Sequence, residues 1–105
     1  MKEQDYKIMC ELKKRLSLKI KLLDIMIFGS RAREDADEFS DFDVFIETET
    51  VDRETKETIQ NITWEVGIEN MTVISPLIFS RHELTNSPLK YSPVIENIMN
   101  EGLRI

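Results

Sequence analysis

The stretch Phe28-Gly29-Ser30-Arg31-Ala32-Arg33, followed at Ser40 by Ser40-Asp41-Phe42-Asp43-Val44-Phe45-Ile46, decides how this 105-residue chain reads. Just before it, Leu22 to Phe28 is a short apolar run ending at Gly29, a length and flank that favour a buried strand over a helix. Gly29 has no Cβ, so backbone there can come close to a ligand. Ser30 adds a hydroxyl, and a short helix begun within residues 30–36 would point the amides of residues 30–32 outward, a good anion site. Arg31 and Arg33 flank that spot with permanent positive charge.

From Asp41 to Glu47 the pattern alternates. Phe42, Val44 and Ile46 share one face, and Asp41, Asp43, Phe45 and Glu47 share the other, so the segment predicts a strand with a polar, open face. Asp41 and Asp43 then project together, with Cα atoms roughly 6–7 Å apart. Two carboxylates converging to ~5 Å repel by about 3 kcal/mol at an effective dielectric of 20, and a cation between them removes that cost. Oxygen-only ligands, with no His or Cys nearby, select Mg²⁺ or Mn²⁺. A phosphate cradle beside carboxylate-held metal is equipment for nucleotide phosphate chemistry.

Plainer readings stand beside these. The two aspartates could be a solvated strand face, and Gly29-Ser30 a strand-to-helix turn with serine as cap. Arg31 and Arg33 could pair with the acidic run, and Glu34, Asp35, Asp37 and Glu38 read as a solvated loop. His82 reads as surface polar, Cys10 as a small buried hydrophobe, and Trp64 as core or interface.

Charge localises the same region. The chain carries 20 acidic and 14 basic residues, and positions 34–43 hold six acids and no base, so the remainder balances at 14 against 14. Concentrated negative field suits a divalent cation and disfavours direct contact with nucleic acid. Hydrophobic residues at 41% fit a globular chain, expected as a single domain over 1–105. No apolar run reaches the ~18–20 residues of a membrane span, and the N-terminus lacks a secretory pattern. One cysteine fits a reducing compartment, so a cytoplasmic location is expected.

Outward from the motif, residues 3–17 predict an amphipathic helix with Ile8, Met9, Leu12 and Leu16 on its stripe. Thr50 is a candidate N-cap for a helix over 51–66, which Gly67 loosens or ends. Met71 to Phe79 predicts a third strand, Pro88 and Pro93 punctuate a loop, and a last helix around Ile95, Ile98 and Met99 stops at Gly102. The order α-β-(short α)-β-α-β-α gives an α/β (α+β) domain with a small sheet covered by helices. Apolar faces on the first and last helices leave a homo-oligomer or a protein contact open beside plain core packing.

The motif over residues 28–46 resembles the signature of the DNA polymerase β-like nucleotidyltransferase superfamily, and within it the minimal nucleotidyltransferases (MNT). That resemblance implies a mixed, strongly twisted sheet, Gly29 and Ser30 on the triphosphate of ATP or another nucleoside triphosphate, and Asp41 and Asp43 as catalytic residues holding two metal ions. It implies transfer of a nucleotide, AMP from ATP, to an acceptor hydroxyl with pyrophosphate leaving. Arg31 or Arg33 would offset developing charge. Many minimal members pair with a helical HEPN protein as its antitoxin, some by adding AMP to a tyrosine. Two positions depart from the family. Glu34 stands where glycine is often found, and residues 71–79 lack the third carboxylate expected on the next central strand, leaving Glu65 and Glu69 upstream as substitutes. Thr72 and Ser75 are weak bases at neutral pH. A non-catalytic nucleotide-binding or antitoxin module acting by contact is the alternative.

Overall fold

The apolar run Leu22–Phe28 forms strand β1, and its lack of alternation has a structural cause: both of its faces are covered. The computed structural model describes residues 1–37 and 39–105. Glu38, part of the acidic loop above, lies outside the described residues. Helix α1 (Glu3–Lys19) precedes β1. Helix α2 (Ser30–Arg33), strand β2 (Phe42–Thr48), helix α3 (Arg53–Glu69) and strand β3 (Ile74–Ser80) follow it. Helix α4 (Arg81–Asn86), a 3-10 turn (Pro88–Tyr91), helix α5 (Pro93–Glu101) and strand β4 (Leu103–Arg104) complete the chain.

The sheet order is β3-β2-β1-β4. β2 runs antiparallel to β1 and parallel to β3, and β4 is antiparallel to β1. A parallel β2–β3 pair requires a crossover, which α3 provides. The expected mixed α/β fold is therefore the observed one.

Strand register sorts the side chains onto two faces. On one, Ile25, Ile27, Val44, Ile46 and Ile74 meet Ile8, Met9, Leu12 and Leu16 of α1 and Ile59, Ile62 and Val66 of α3. Burying each such side chain contributes about 1.5–3 kcal/mol. On the other, Met26 and Phe45 pack against Ile95 and Ile98 of α5, with Phe28, Leu77, Phe79 and Leu84 around them. This corrects the open polar face expected for Asp41 to Glu47. Phe45 is fully buried, because α5 covers the middle of that face. Carboxylates remain only at its two ends, Asp41 with Asp43 at one and Glu47 with Asp24 at the other.

Several boundaries move for local reasons. Asp52, and not Thr50, caps α3 by accepting from the Thr55 amide at 2.7 Å. Gly67 does not end α3. It lies inside the helix, where an added Cβ would sit 2.8 Å from the Thr72 carbonyl oxygen. β3 starts at Ile74 because Met71 turns the chain with φ 54°. The segment after β3 is helical, with Ser80 and Glu83 forming a reciprocal capping box. Cys10 is exposed, where a buried thiol was expected, and Trp64 lies on the surface at 68% exposure, outside both cores. Among the described residues, no helix is long and apolar enough to cross a membrane.

Candidate functional site

β1 delivers Gly29 at its end, and β2 delivers Asp43 beside it, because Phe28 pairs with Asp43 in the antiparallel register. Gly29 has φ 74° and ψ −156°, backbone that is essentially restricted to glycine. A second reason for glycine lies across the sheet. A Cβ at position 29 would collide with Asp43 Oδ2 and stand 3.3 Å from its Cγ. The carboxylate of Asp43 therefore lies directly over bare backbone at the mouth of α2, where Ser30 is the first helical residue.

Asp41 lies just before β2, two residues from Asp43, and near enough for its charge to act on the Asp43 carboxyl. Partial burial pushes the Asp43 carboxyl above the usual range, the negative charge of Asp41 pushes it the same way, and the Arg33 guanidinium opposes both. Those causes place Asp41, Asp43 and Arg33 in one electrostatic neighbourhood. Arg33 is exposed and engages Asp35 at 3.2 Å and Glu101 of α5 at 3.4 Å. The sequence-predicted residues Gly29, Ser30, Asp41, Asp43 and Arg33 are thus brought to one end of the sheet.

Arg31 is turned the other way. Its guanidinium is buried, donates to Ser40 O at 3.1 and 2.8 Å and to Asp5 Oδ1 at 3.3 Å, and lies 4.4 Å from the centre of the Phe42 ring. Asp5 is itself buried at 5% exposure. Arg31 thus ties the loop before Asp41 to α1, an ion-pair role that among the described residues is made with Asp5. Glu34 also turns away from the cradle. It caps α2 in the left-handed region with φ 62°, and its carboxylate binds the Met1 amino group at 2.6 Å. That ammonium holds the Glu34 carboxyl below its usual range. Left-handed backbone is the region glycine adopts most readily, so Glu34 stands at a turn that glycine would fit without strain.

Neither proposed substitute for a third carboxylate reaches the site. α3 packs on the opposite face of the sheet, where Glu69 holds Arg15 at 2.6 Å and Glu65 is exposed. The residue abreast of Asp43 on β3 is Ser75. Among the described residues, no group of three or more His, Cys, Asp or Glu side chains is arranged to hold a metal. Two carboxylates still suit magnesium, which keeps several waters and commonly takes one or two carboxylates plus substrate phosphates. The donor set fits an ion that arrives with a nucleotide.

Sequence reasoning missed the contribution of α5. Asn97, Ile98 and Glu101 line a cleft of about 210 Å³ together with Phe28, Gly29, Arg33 and Val94. No local signal marks them, since they lie some seventy residues from Gly29 and become neighbours only when α5 docks.

Comparison with known proteins agrees with this architecture. A family model described as a nucleotidyltransferase domain matches residues 9–105. A chain of a toxin–antitoxin crystal structure with AMP-PNP aligns with a TM-score of 0.62 at 14% identity, covering 93% of this chain and 69% of that one. A variant of the toxin–antitoxin MntA–HpeT aligns at 0.61 and 14% identity, covering 90% and 69%. Spectinomycin adenyltransferase AAD(9) from Enterococcus faecialis, with ATP and spectinomycin, aligns at 0.57 and 23% identity, covering 78% of this chain and 36% of that one. No curated protein sequence matches the chain.

Proposed function

The chain belongs to the nucleotidyltransferase domain family, and from that membership we propose that residues 1–105 act as one small magnesium-dependent domain that transfers AMP from ATP to an acceptor hydroxyl. The observation that carries this reading is the Asp43 carboxylate lying over the bare backbone of Gly29, with Asp41 beside it. Asp41 and Asp43 are its metal ligands and catalytic residues, Gly29 and Ser30 receive the triphosphate, and Arg33 offsets charge developing on it. Arg31 supports the loop and does not touch the nucleotide. A magnesium or manganese ion bound by the pair would neutralise phosphate charge and polarise the reacting phosphorus. The acceptor oxygen forms a bond to the α-phosphorus while the bond to the bridging β-phosphate oxygen breaks. Pyrophosphate departs, and the hydroxyl proton passes to solvent.

The toxin–antitoxin relatives support a protein acceptor. The partner we propose is a helical HEPN protein, with this chain as its antitoxin. The serine abreast of Asp43 favours one second reading, an antitoxin that binds nucleotide and acts by contact alone. Incubating the chain with α-labelled ATP, magnesium and a HEPN partner distinguishes them. Label on the partner that vanishes with Asp41→Asn plus Asp43→Asn supports transfer. Calorimetric binding of Mg·ATP without label transfer supports the contact reading, and equal behaviour of wild type and double variant overturns both.

A further inference from the structure

The single tryptophan of the chain, Trp64, serves neither core nor the carboxylate site. It stands on α3 at 68% exposure, one turn before Ile68 at 55%, with Met71 at 93% in the turn that follows and Val73 at 57% just before β3. These four side chains leave on the order of 500 Å² in water, about the apolar share of the ~800 Å² that each partner brings to a stable interface. Beside the indole lies a groove of about 310 Å³ between α3 and β3, with Gly67, Val73, Ile74 and Pro76 in its lining. Among the described residues, none that lines it is charged, in a chain of net charge −6. β3 is an outer strand, and an open edge invites pairing with another strand. Here that edge is blunted. The Phe42 amide donates to the Val73 carbonyl, so in the parallel register the backbone groups of residues 73, 75, 77 and 79 face β2, and those of 74, 76 and 78 face outward. Position 76 is proline, with no amide hydrogen to give. Side chains, and not an added strand, therefore make any contact here.

We propose that this face pairs two copies of the chain about a two-fold axis, with the indole of each copy seated in the groove of the other. The face carries both halves of the fit, a projecting ring and a hollow beside it, and a two-fold axis presents each to its counterpart. Charge points to the same occupant. A basic partner would be drawn to the acids at positions 34–43. Two chains of the same sign meet most easily where neither brings a charge. The contact also borders the carboxylate site, because Val73 holds the amide of Phe42, which stands between Asp41 and Asp43. Self-pairing and nucleotide transfer are separate claims, and either can fail without the other.

The test is sedimentation equilibrium of the whole chain, with tryptophan emission read on the same dilution series. Mass should rise from monomer toward dimer through the micromolar range, and emission should move to shorter wavelength at the same midpoint as the indole leaves water. Trp64→Ala should weaken pairing on the order of a hundredfold, since it removes a central aromatic anchor from both copies at once. Val73→Lys keeps the fluorescent reporter and sets like charges into the joint, so pairing and the emission shift should be lost together. Tyr91→Ala, at a comparably exposed aromatic outside the face, should leave pairing within twofold. Positions 64 and 73 are both exposed, and thermal melts of the two variants should match that of dilute, monomeric wild type, which separates lost pairing from lost fold. A wild-type chain that stays monomeric with constant emission overturns the proposal, and so does a dimer that both substitutions leave intact. Emission that shifts only when a helical partner protein is added assigns the face to that protein and overturns self-pairing.

Discussion

The two ends of the α5-covered sheet face carry the same chemistry and treat it in opposite ways. At one end Asp24 and Glu47 are cross-strand neighbours, and each is clasped by its own arginine. Arg104 holds both oxygens of Asp24 at 3.0 to 3.2 Å, and Arg81 holds Glu47 at 2.7 Å. At the other end, among the described residues, neither Asp41 nor Asp43 makes a salt bridge, and Arg33, whose charge acts on Asp43, is divided between Asp35 and Glu101. Arg31, two residues before Arg33, is buried against Asp5, Ser40 and Phe42. A carboxylate pair matched by guanidinium groups holds strands together. A pair left under-matched over a bare glycine keeps its unfavourable repulsion when ionised, which a ligand cation would relieve at neutral pH. Position in the strand does not distinguish the two ends, and the partners do.

The change expected to disturb this contrast most is Arg31→Ala. It would strand the buried Asp5 carboxylate and the Ser40 carbonyl, and loss of a buried charged partner costs about 3–5 kcal/mol. Urea denaturation should show that loss in the metal-free protein. Arg31→Lys should recover little, since an ammonium cannot bridge Ser40, Asp5 and the Phe42 ring together. A near-neutral result for Arg31→Ala would mean that this arginine serves the nucleotide, and the two ends would then differ less than described.

Gly29→Ala tests the bare backbone at the site end. A backbone in this region costs a non-glycine residue about 1–3 kcal/mol, and the new methyl group must displace Asp43. Both stability and Mg·ATP affinity should fall, and thermal melting with parallel calorimetry would register the two. Were affinity unchanged while stability fell, the Asp43 carboxylate would not be acting where Gly29 leaves room for it.

How much of this was legible follows from distance along the chain. The convergence of Gly29 with Asp43 was readable because β1 and β2 are consecutive strands, joined by one local return through α2 and its loop. The apolar run of β1 and the alternation of β2 also report their own environments. The role of Arg31 was not readable, since its partner Asp5 lies 26 residues away on a helix whose docking no local pattern encodes. The burial of Phe45 was misread for the same reason: alternation with aspartates suggests a wet face until α5, fifty residues later, covers it. Gly67 misled in another way. Glycine signals a helix end by its backbone freedom, yet here it marks the close approach of the Thr72 carbonyl. The missing third carboxylate was visible as an absence in residues 71–79. Register added that Ser75 is the residue abreast of Asp43.

At the structural end, Glu47→Gln should destabilise the protein by about 1 kcal/mol. The Glu47 side chain is only 12% exposed, but its partner Arg81 is 60% exposed and solvent screens the pair. Mg·ATP affinity should stay within twofold, because Glu47 lies at the far end of β2 from Asp43. A large loss of affinity in this variant, with the fold intact, would show that the two ends are coupled through α5.

The smallest effect carries the sharpest sign. Asp43→Asn at neutral pH in metal-free buffer should stabilise the fold, within the ~0–1 kcal/mol typical of partly exposed charge interactions, while Glu47→Gln does the reverse. Burial and the Asp41 charge raise the Asp43 carboxyl in the folded state above its unfolded value. Between those two values the folded protein binds more protons than the unfolded chain, so this group's contribution to stability declines as pH rises through that window. Above the window the full penalty of an ionised Asp43 is present, and asparagine removes it. Below the window Asp43 is protonated in both states, and the difference between wild type and variant should shrink. Thermal melts of both proteins from the acidic range to neutrality, in chelator, would trace this. A destabilised Asp43→Asn at neutral pH would mean that Asp43, like Asp24 and Glu47, is a matched structural carboxylate, and the contrast between the two ends would be lost.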